Sequence, residues 1–259
     1  MRSFVAKNAP QDDDPRPHNP SCIPSRRASQ PTAPVLLSPI MAAPIDHLLD
    51  QAAQARRENR PADARRDLVE AVAQARVSNA EPATLSRALK SLGQIERDLK
   101  HQDAALELYE EAAQIDRQLG DPLTIAHTIR HLGDIHQDSS RPAQAEPLYL
   151  EALAIYRADP QTKTLDLANA VRPLALLKES AGQHDEADVL WDEARGLYAS
   201  LDIFPGVAES AGHMAMLARR REDPERARRL LAEASEAAQK SGDYNTVRKV
   251  NEIRTWISG

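Results

Sequence analysis

Scarcity marks this chain more than abundance. It has one cysteine, Cys22, so no intramolecular disulfide can close and no thiolate cage can hold zinc. Aromatic residues make up only 3% of the 259 positions, and glycines number nine. A core short of large rings must be filled by Ala, Leu, Ile and Val in thin layers, because small side chains let helices approach closely. Basic charge is not in excess: 33 Lys and Arg stand against 39 Asp and Glu, a formal −6, which argues against a nucleic-acid partner. Long apolar runs are missing as well. Met1 to Asp14 lacks the apolar stretch of a secretory signal, and Val35, Leu36 and Leu37, held between Pro34 and Pro39, are too few to span a bilayer. No nucleophile elbow, phosphate-cradling glycine loop or His-Glu-x-x-His motif occurs. These absences predict a cytoplasmic protein that is not an enzyme, with no cofactor and no membrane contact.

What remains divides into two parts. Residues 1–44 hold nine of the 18 prolines, an Asp12-Asp13-Asp14 run and no periodicity, the composition of a segment too polar to offset its ordering entropy. They read as a disordered tail. It carries five basic and three acidic residues, so its +2 leaves about −8 on the body. Composition changes near Met41, which makes Met41 a candidate translation start, and Arg26-Arg27-Ala28-Ser29 has the form of a basophilic kinase site.

From residue 45 onward the chain repeats itself. Ala105-Leu-Glu-Leu-Tyr109-Glu-Glu-Ala112, Ala145-Glu-Pro-Leu-Tyr149-Leu-Glu-Ala152 and Ala187-Asp-Val-Leu-Trp191-Asp-Glu-Ala194 are copies of one unit. Ala64, Leu68 and Ala71 form a weaker copy, as do Ala227, Leu231 and Ala234. The leading alanines lie 41, 40, 42 and 40 residues apart. Thirteen and twelve residues before them come Leu92-Gly93, Leu132-Gly133, Leu174-Ala175 and Met214-Ala215. Sixteen before come Leu48, Leu89, Ile129, Val171 and Ala211. An apolar residue followed four places later by a small one faces one side of a helix. Each unit is therefore two amphipathic helices. Pro61, Pro142 and Pro224 open the second helix, with Asp223 as an N-cap, and Lys100-His101 and Gly182-Gln183 supply the same turn elsewhere.

This small–bulky–small arithmetic resembles the tetratricopeptide repeat, and the period of 40–42 residues resembles its kinesin-light-chain-type subclass. The resemblance implies an all-α, right-handed α-solenoid of about five helical hairpins, over residues 45–84, 85–123, 124–164, 165–205 and 206–242, closed by a capping helix at 243–258. The sequence departs from the family at Glu96, His136, Lys178 and Ala218, where an aromatic is usual, and at Arg117, Arg157, Ala199 and Gln239, where a proline is.

Hairpins that share one core leave a concave surface lined by their first helices, a surface suited to a peptide or helix of a partner protein. The expected lining is Arg87, Lys90 and Gln94 in the second unit, His127, Arg130 and Asp134 in the third, Asn169 and Arg172 in the fourth, and Met216 in the fifth. Lys90, Arg130 and Arg172 share one register, as a cationic ladder for acidic or C-terminal carboxylates. The expected function is that of an adaptor or scaffold. Two rivals are a peptide- or small-ligand-sensing regulatory module, and a self-assembling subunit that meets its neighbours through Trp256. His127 and His131, four residues apart with Asp134 a turn further on, have the spacing of metal ligands, although exposed histidines need no metal. Trp191 falls in the core register. Pro173 is predicted to kink its helix or to mark a late start, and the arginines from 219 to 229 read as a solvated outer face.

Overall fold

The small–apolar periodicity becomes helix throughout. The structure, a computed structural model, describes residues 44–258, so Cys22, the kinase-like site, Met41 and the tail lie outside the described residues. Eleven helices and no strand occur among the described residues. They are α1 (Ile45–Arg57), α2 (Pro61–Val77), α3 (Pro82–Asp98), α4 (Gln102–Leu119), α5 (Pro122–Asp138) and α6 (Pro142–Ala158). There follow α7 (Thr164–Ser180), α8 (His184–Ala199), α9 (Phe204–Arg220), α10 (Pro224–Ser241) and α11 (Tyr244–Ser258). Each odd helix pairs with the even helix after it, and each even helix then packs on the next odd one. Odd helices also approach one another, α5 against α7 and α9 against α11. The stack therefore curves with its first helices on the inside, and it is an all-α solenoid.

One turn repeats five times. Asn59, Lys100, Ser140, Gly182 and Glu222 take positive φ, each five residues before its leading alanine. The next amide bonds back to the carbonyl five residues earlier: Arg60 to Ala55, His101 to Glu96, Arg141 to His136, Gln183 to Lys178 and Asp223 to Ala218. This left-handed close satisfies the carbonyls that a helix end leaves open and turns the chain sharply. The second helix then starts on proline in α2, α6 and α10, and Asp223 accepts the Arg226 amide at 2.9 Å.

Inside the stack the leading alanines are sealed, with Tyr109, Tyr149 and Trp191 filling the space between hairpins. A Cβ on Gly133 would come within 2.7 Å of the Tyr149 ring, so position 133 admits nothing larger. Pro173 lies within α7, which continues through it to Ser180.

Two of the four departures from the aromatic pattern, Glu96 and Lys178, are compensated by charge. Glu96 is 2% exposed and receives Arg65 from the preceding second helix and His101 from its own turn, both at 2.7 Å. Two units later the signs invert: Lys178 is held by Glu146 at 2.7 Å and Glu186 at 2.9 Å. Both arginines in the family's proline position also reach the next unit. Arg157 meets Glu193 at 2.6 Å and Arg117 approaches Glu151 at 3.9 Å, as Arg76 meets Glu111 one unit earlier. The arginine-rich run is likewise engaged, because Arg221 and Arg226 both pair with Asp188.

Candidate functional site

The inner face has a closed middle and an open end. In the middle, Lys90 points back into the stack, where its Nζ lies 2.9 Å from Asp116. Asp116 is 1% exposed and also accepts the hydroxyls of Ser86 at 2.5 Å and Thr128 at 2.6 Å. Arg130 donates to Asp134 at 2.9 Å and to His131 Nε2 at 2.6 Å. Asp134 further accepts the Tyr149 hydroxyl at 3.0 Å and Arg97 at 3.3 Å. Burial works against the charge of Asp134, but His131, Arg130 and Arg97 outweigh it and hold the carboxyl below its usual range. His131 stacks on Tyr109 with ring centroids 5.3 Å apart, and His127 meets His131 edge-on at 4.7 Å. Burial, and then the neighbouring His131 and Arg130, press His127 down to about 3.

Each cation of the expected ladder faces a carboxylate of its own chain. Lys90 and Arg130 are only 17% and 12% exposed, whereas Arg172 is 43% exposed and shares a single nitrogen with Glu209 at 3.2 and 3.3 Å. Arg87 pairs with Asp46 of α1 at the exposed rim, and Gln94 donates to Asp98 at 2.8 Å. The histidines do not form a metal centre. One nitrogen of His131 is taken by Arg130, the other lies 3.4 Å from Asp134, and among the described residues no group of three or more ligands is arranged for a metal.

The open end is a cleft of about 570 Å³ among α7, α9 and α11. Three of the expected residues meet there: Asn169, Arg172 and Met216. Ile203, Pro205, Val250 and Ile253 supply apolar walls, and Glu209, His213 and Lys249 supply charge and polarity. The cleft exists because α11 leans onto α9 over Gly212, where an added Cβ would stand 2.8 Å from Ile253. Tyr198 donates to Asn169 Oδ1 at 2.9 Å, and burial raises its phenol above the ordinary range, so it stays a donor. Trp191, fully buried as its register predicts, forms the wall behind His213: their rings stack at 4.3 Å and 10°. Glu179 Oε2 accepts both the Trp191 indole at 2.9 Å and His213 Nδ1 at 2.8 Å. Burial opposes the charge of Glu179, and His213 and Trp191 overcome it and keep the group ionised.

Sequence reasoning missed His213, Glu179, Tyr198 and Lys249. A signal for the first existed: His131 and His213 both stand fourteen residues before a leading alanine, and each follows a unit whose bulky position is aromatic. At the far end of α11, Trp256 is 48% exposed and lies under Arg220, 5.5 Å from its ring centre. No helix among the described residues is long and apolar enough to cross a membrane.

Residues 125–158, which take in most of α5 and all of α6, match the tetratricopeptide repeat family. Solved structures resemble the whole stack. The BtubC (BKLC) protein of P. vanneervenii is 19% identical over 77% of this chain and 82% of its own, with a TM-score of 0.67. A putative kinesin light chain of Podosopora anserina with nearly identical TPR-like repeats is 16% identical over 76% of this chain and 96% of its own, at 0.62. The apo quorum sensor NprR of B. thuringiensis is 15% identical over 81% of this chain, which spans 58% of that protein, at 0.67. No curated protein matches the sequence. The repeat arithmetic, the matched hairpin and the stacked fold agree: the chain carries a tetratricopeptide repeat at residues 125–158 and stacks its hairpins as solved structures with such repeats do.

Proposed function

We propose that the chain is a cytoplasmic adaptor or scaffold that takes a peptide or helix of a partner protein against its inner face, with the cleft of α7, α9 and α11 as the seat. The supporting observation is the contrast in the lining. Side chains in the middle bond to one another, while the cleft offers about 570 Å³ of largely apolar space edged by a few fixed polar groups, the make-up of a recognition site. Met216, Ile203 and Ile253 would receive an apolar side chain. Arg172, held by Glu209 through one nitrogen only, would receive an acidic or C-terminal carboxylate, with Lys249 beside it. Lys90, Arg130, His127 and Asp134 would shape the face, and Arg87 and Gln94 would meet a partner that extends toward α1.

Peptides selected from a random display library, fluorescently labelled and titrated by anisotropy, test this reading. Met216→Glu and Arg172→Glu should each weaken binding about tenfold or more, and Arg87→Glu should change it little. Selected peptides indifferent to both cleft substitutions would place the seat elsewhere.

The position of α11 favours a second reading, a ligand-sensing module. This last helix forms one wall of the cleft and packs on both α9 and α10, so an occupant would lever it outward. A change in the spin-label distance from α5 to α11 on peptide binding would support sensing over passive docking.

A further inference from the structure

Two units carry the same stacked histidine, with different atoms left free. In the third unit His131 lies on Tyr109, and Arg130, the residue before it, donates to its Nε2 at 2.6 Å. In the fifth unit His213 lies on Trp191 and its Nδ1 is held by Glu179 at 2.8 Å. The residue before it is Gly212, which has no side chain to cover the remaining nitrogen. Among the described residues, His213 Nε2 makes no hydrogen bond, yet it is not a sealed orphan; the residue lines the cleft. A mirrored situation exists on the α7 wall. Asn169 has its oxygen engaged by Tyr198, which leaves its amide N–H groups for an occupant.

We infer that His213 is the acceptor that reads the occupant of this cleft, and that the occupant is an extended peptide whose backbone N–H bonds to His213 Nε2 while a carbonyl bonds to the Asn169 amide. The inference rests on the cleft being the binding seat. The tautomer follows from the carboxylate: Glu179 accepts a proton-bearing Nδ1, so the neutral ring keeps its lone pair on Nε2. The ring cannot swing away, because the indole fixes its face and the carboxylate its edge. An imidazole held this way is pre-organised, and pre-organised groups bind without the ordering cost of a mobile side chain. A strand fits the pair of walls because its N–H and C=O groups leave the chain on opposite sides. A site that offers one acceptor and one donor on facing helices favours that arrangement over a helix, whose backbone groups are already bonded to each other.

The test uses a display-selected peptide and a set of analogues, each N-methylated at one backbone amide, titrated by anisotropy. His213→Phe keeps the stack on Trp191 and removes the acceptor. The expected result is a loss of about tenfold or more with His213→Phe, one N-methyl position with a similar loss, and no added loss when the two are combined. Circular dichroism melting of His213→Phe checks that the fold is retained, and His213→Gln, which restores an acceptor, should recover part of the affinity. Binding that Met216→Glu abolishes but His213→Phe and every N-methyl analogue leave intact would overturn the role of His213 and preserve the cleft. Binding insensitive to Met216→Glu would instead remove the seat on which the role depends.

Discussion

The third and fifth units of the stack use one register for opposite ends. Both place a histidine on an aromatic ring beside a carboxylate. In the third unit Arg130 closes the arrangement, and Asp134, Arg97 and Tyr149 join it into a network with little contact with water. In the fifth, Gly212 leaves the ring open and admits Ile253 of α11, so the same motif lines a cleft. A change of one side chain, from arginine to none, separates structural use from a surface able to engage something else. Position in a repeat thus specifies where a side chain starts; its neighbours decide whether it remains available.

The sealed unit should break hardest. Asp134→Ala removes the carboxylate paired with Arg130, while Arg97 keeps Asp138 and the Tyr149 hydroxyl keeps Gln137, and loss of one partner of a buried pair costs about 3–5 kcal/mol. Urea unfolding followed by circular dichroism should show that loss. Acid should attack the same place. His127, held to about 3 in the fold, titrates near 6.5 once unfolded, so the unfolded chain takes up the proton first as pH falls. Its contribution is complete above that upper value and is lost between about 6.5 and 3, with a slope approaching ~1.4 kcal/mol per pH unit. Urea midpoints at pH 7.5 and 5 should differ accordingly, and His127→Gln should flatten the difference.

Effects at the open end should be smaller. Glu179→Ala leaves the Trp191 indole without its acceptor and frees His213, a cost of about 1–3 kcal/mol, measurable in the same unfolding series. Arg172→Ala removes a pair that is partly exposed, so stability should fall by less than about 1 kcal/mol while peptide affinity falls clearly. If Arg172→Ala were as destabilising as Asp134→Ala, the two regions would not differ in kind.

Much of this molecule was legible in its letters. The intervals between alanines placed the hairpins, the prolines opened the second helices, and Lys100-His101 and Gly182-Gln183 marked the left-handed turns, because each of these depends on local geometry. Asn169, Arg172 and Met216 fell into one cleft since they share a face on neighbouring first helices. Pairing was less visible. Asp116 reaches Lys90 from the second helix of the same hairpin, and Glu209 reaches Arg172 across a unit boundary, so the first depends on how two helices pack and the second on how far the stack curves. In the register of Lys90, Arg130 and Arg172 the fifth unit has Gly212; only the approach of α11 shows it as a contact. The inverted triads around Glu96 and Lys178 were visible merely as departures, because a charge in an aromatic position has meaning only beside the groups that neutralise it.

Methionine offers the most direct test. The chain has four, and two of them, Met214 and Met216, lie two residues apart in α9 with Met214 buried at 3% exposure. With methyl-labelled methionine and a selected peptide at saturation, the account predicts that the Met216 methyl resonance shifts strongly and that of Met214 much less. A Met216 signal that stays in place while anisotropy reports full binding would contradict it.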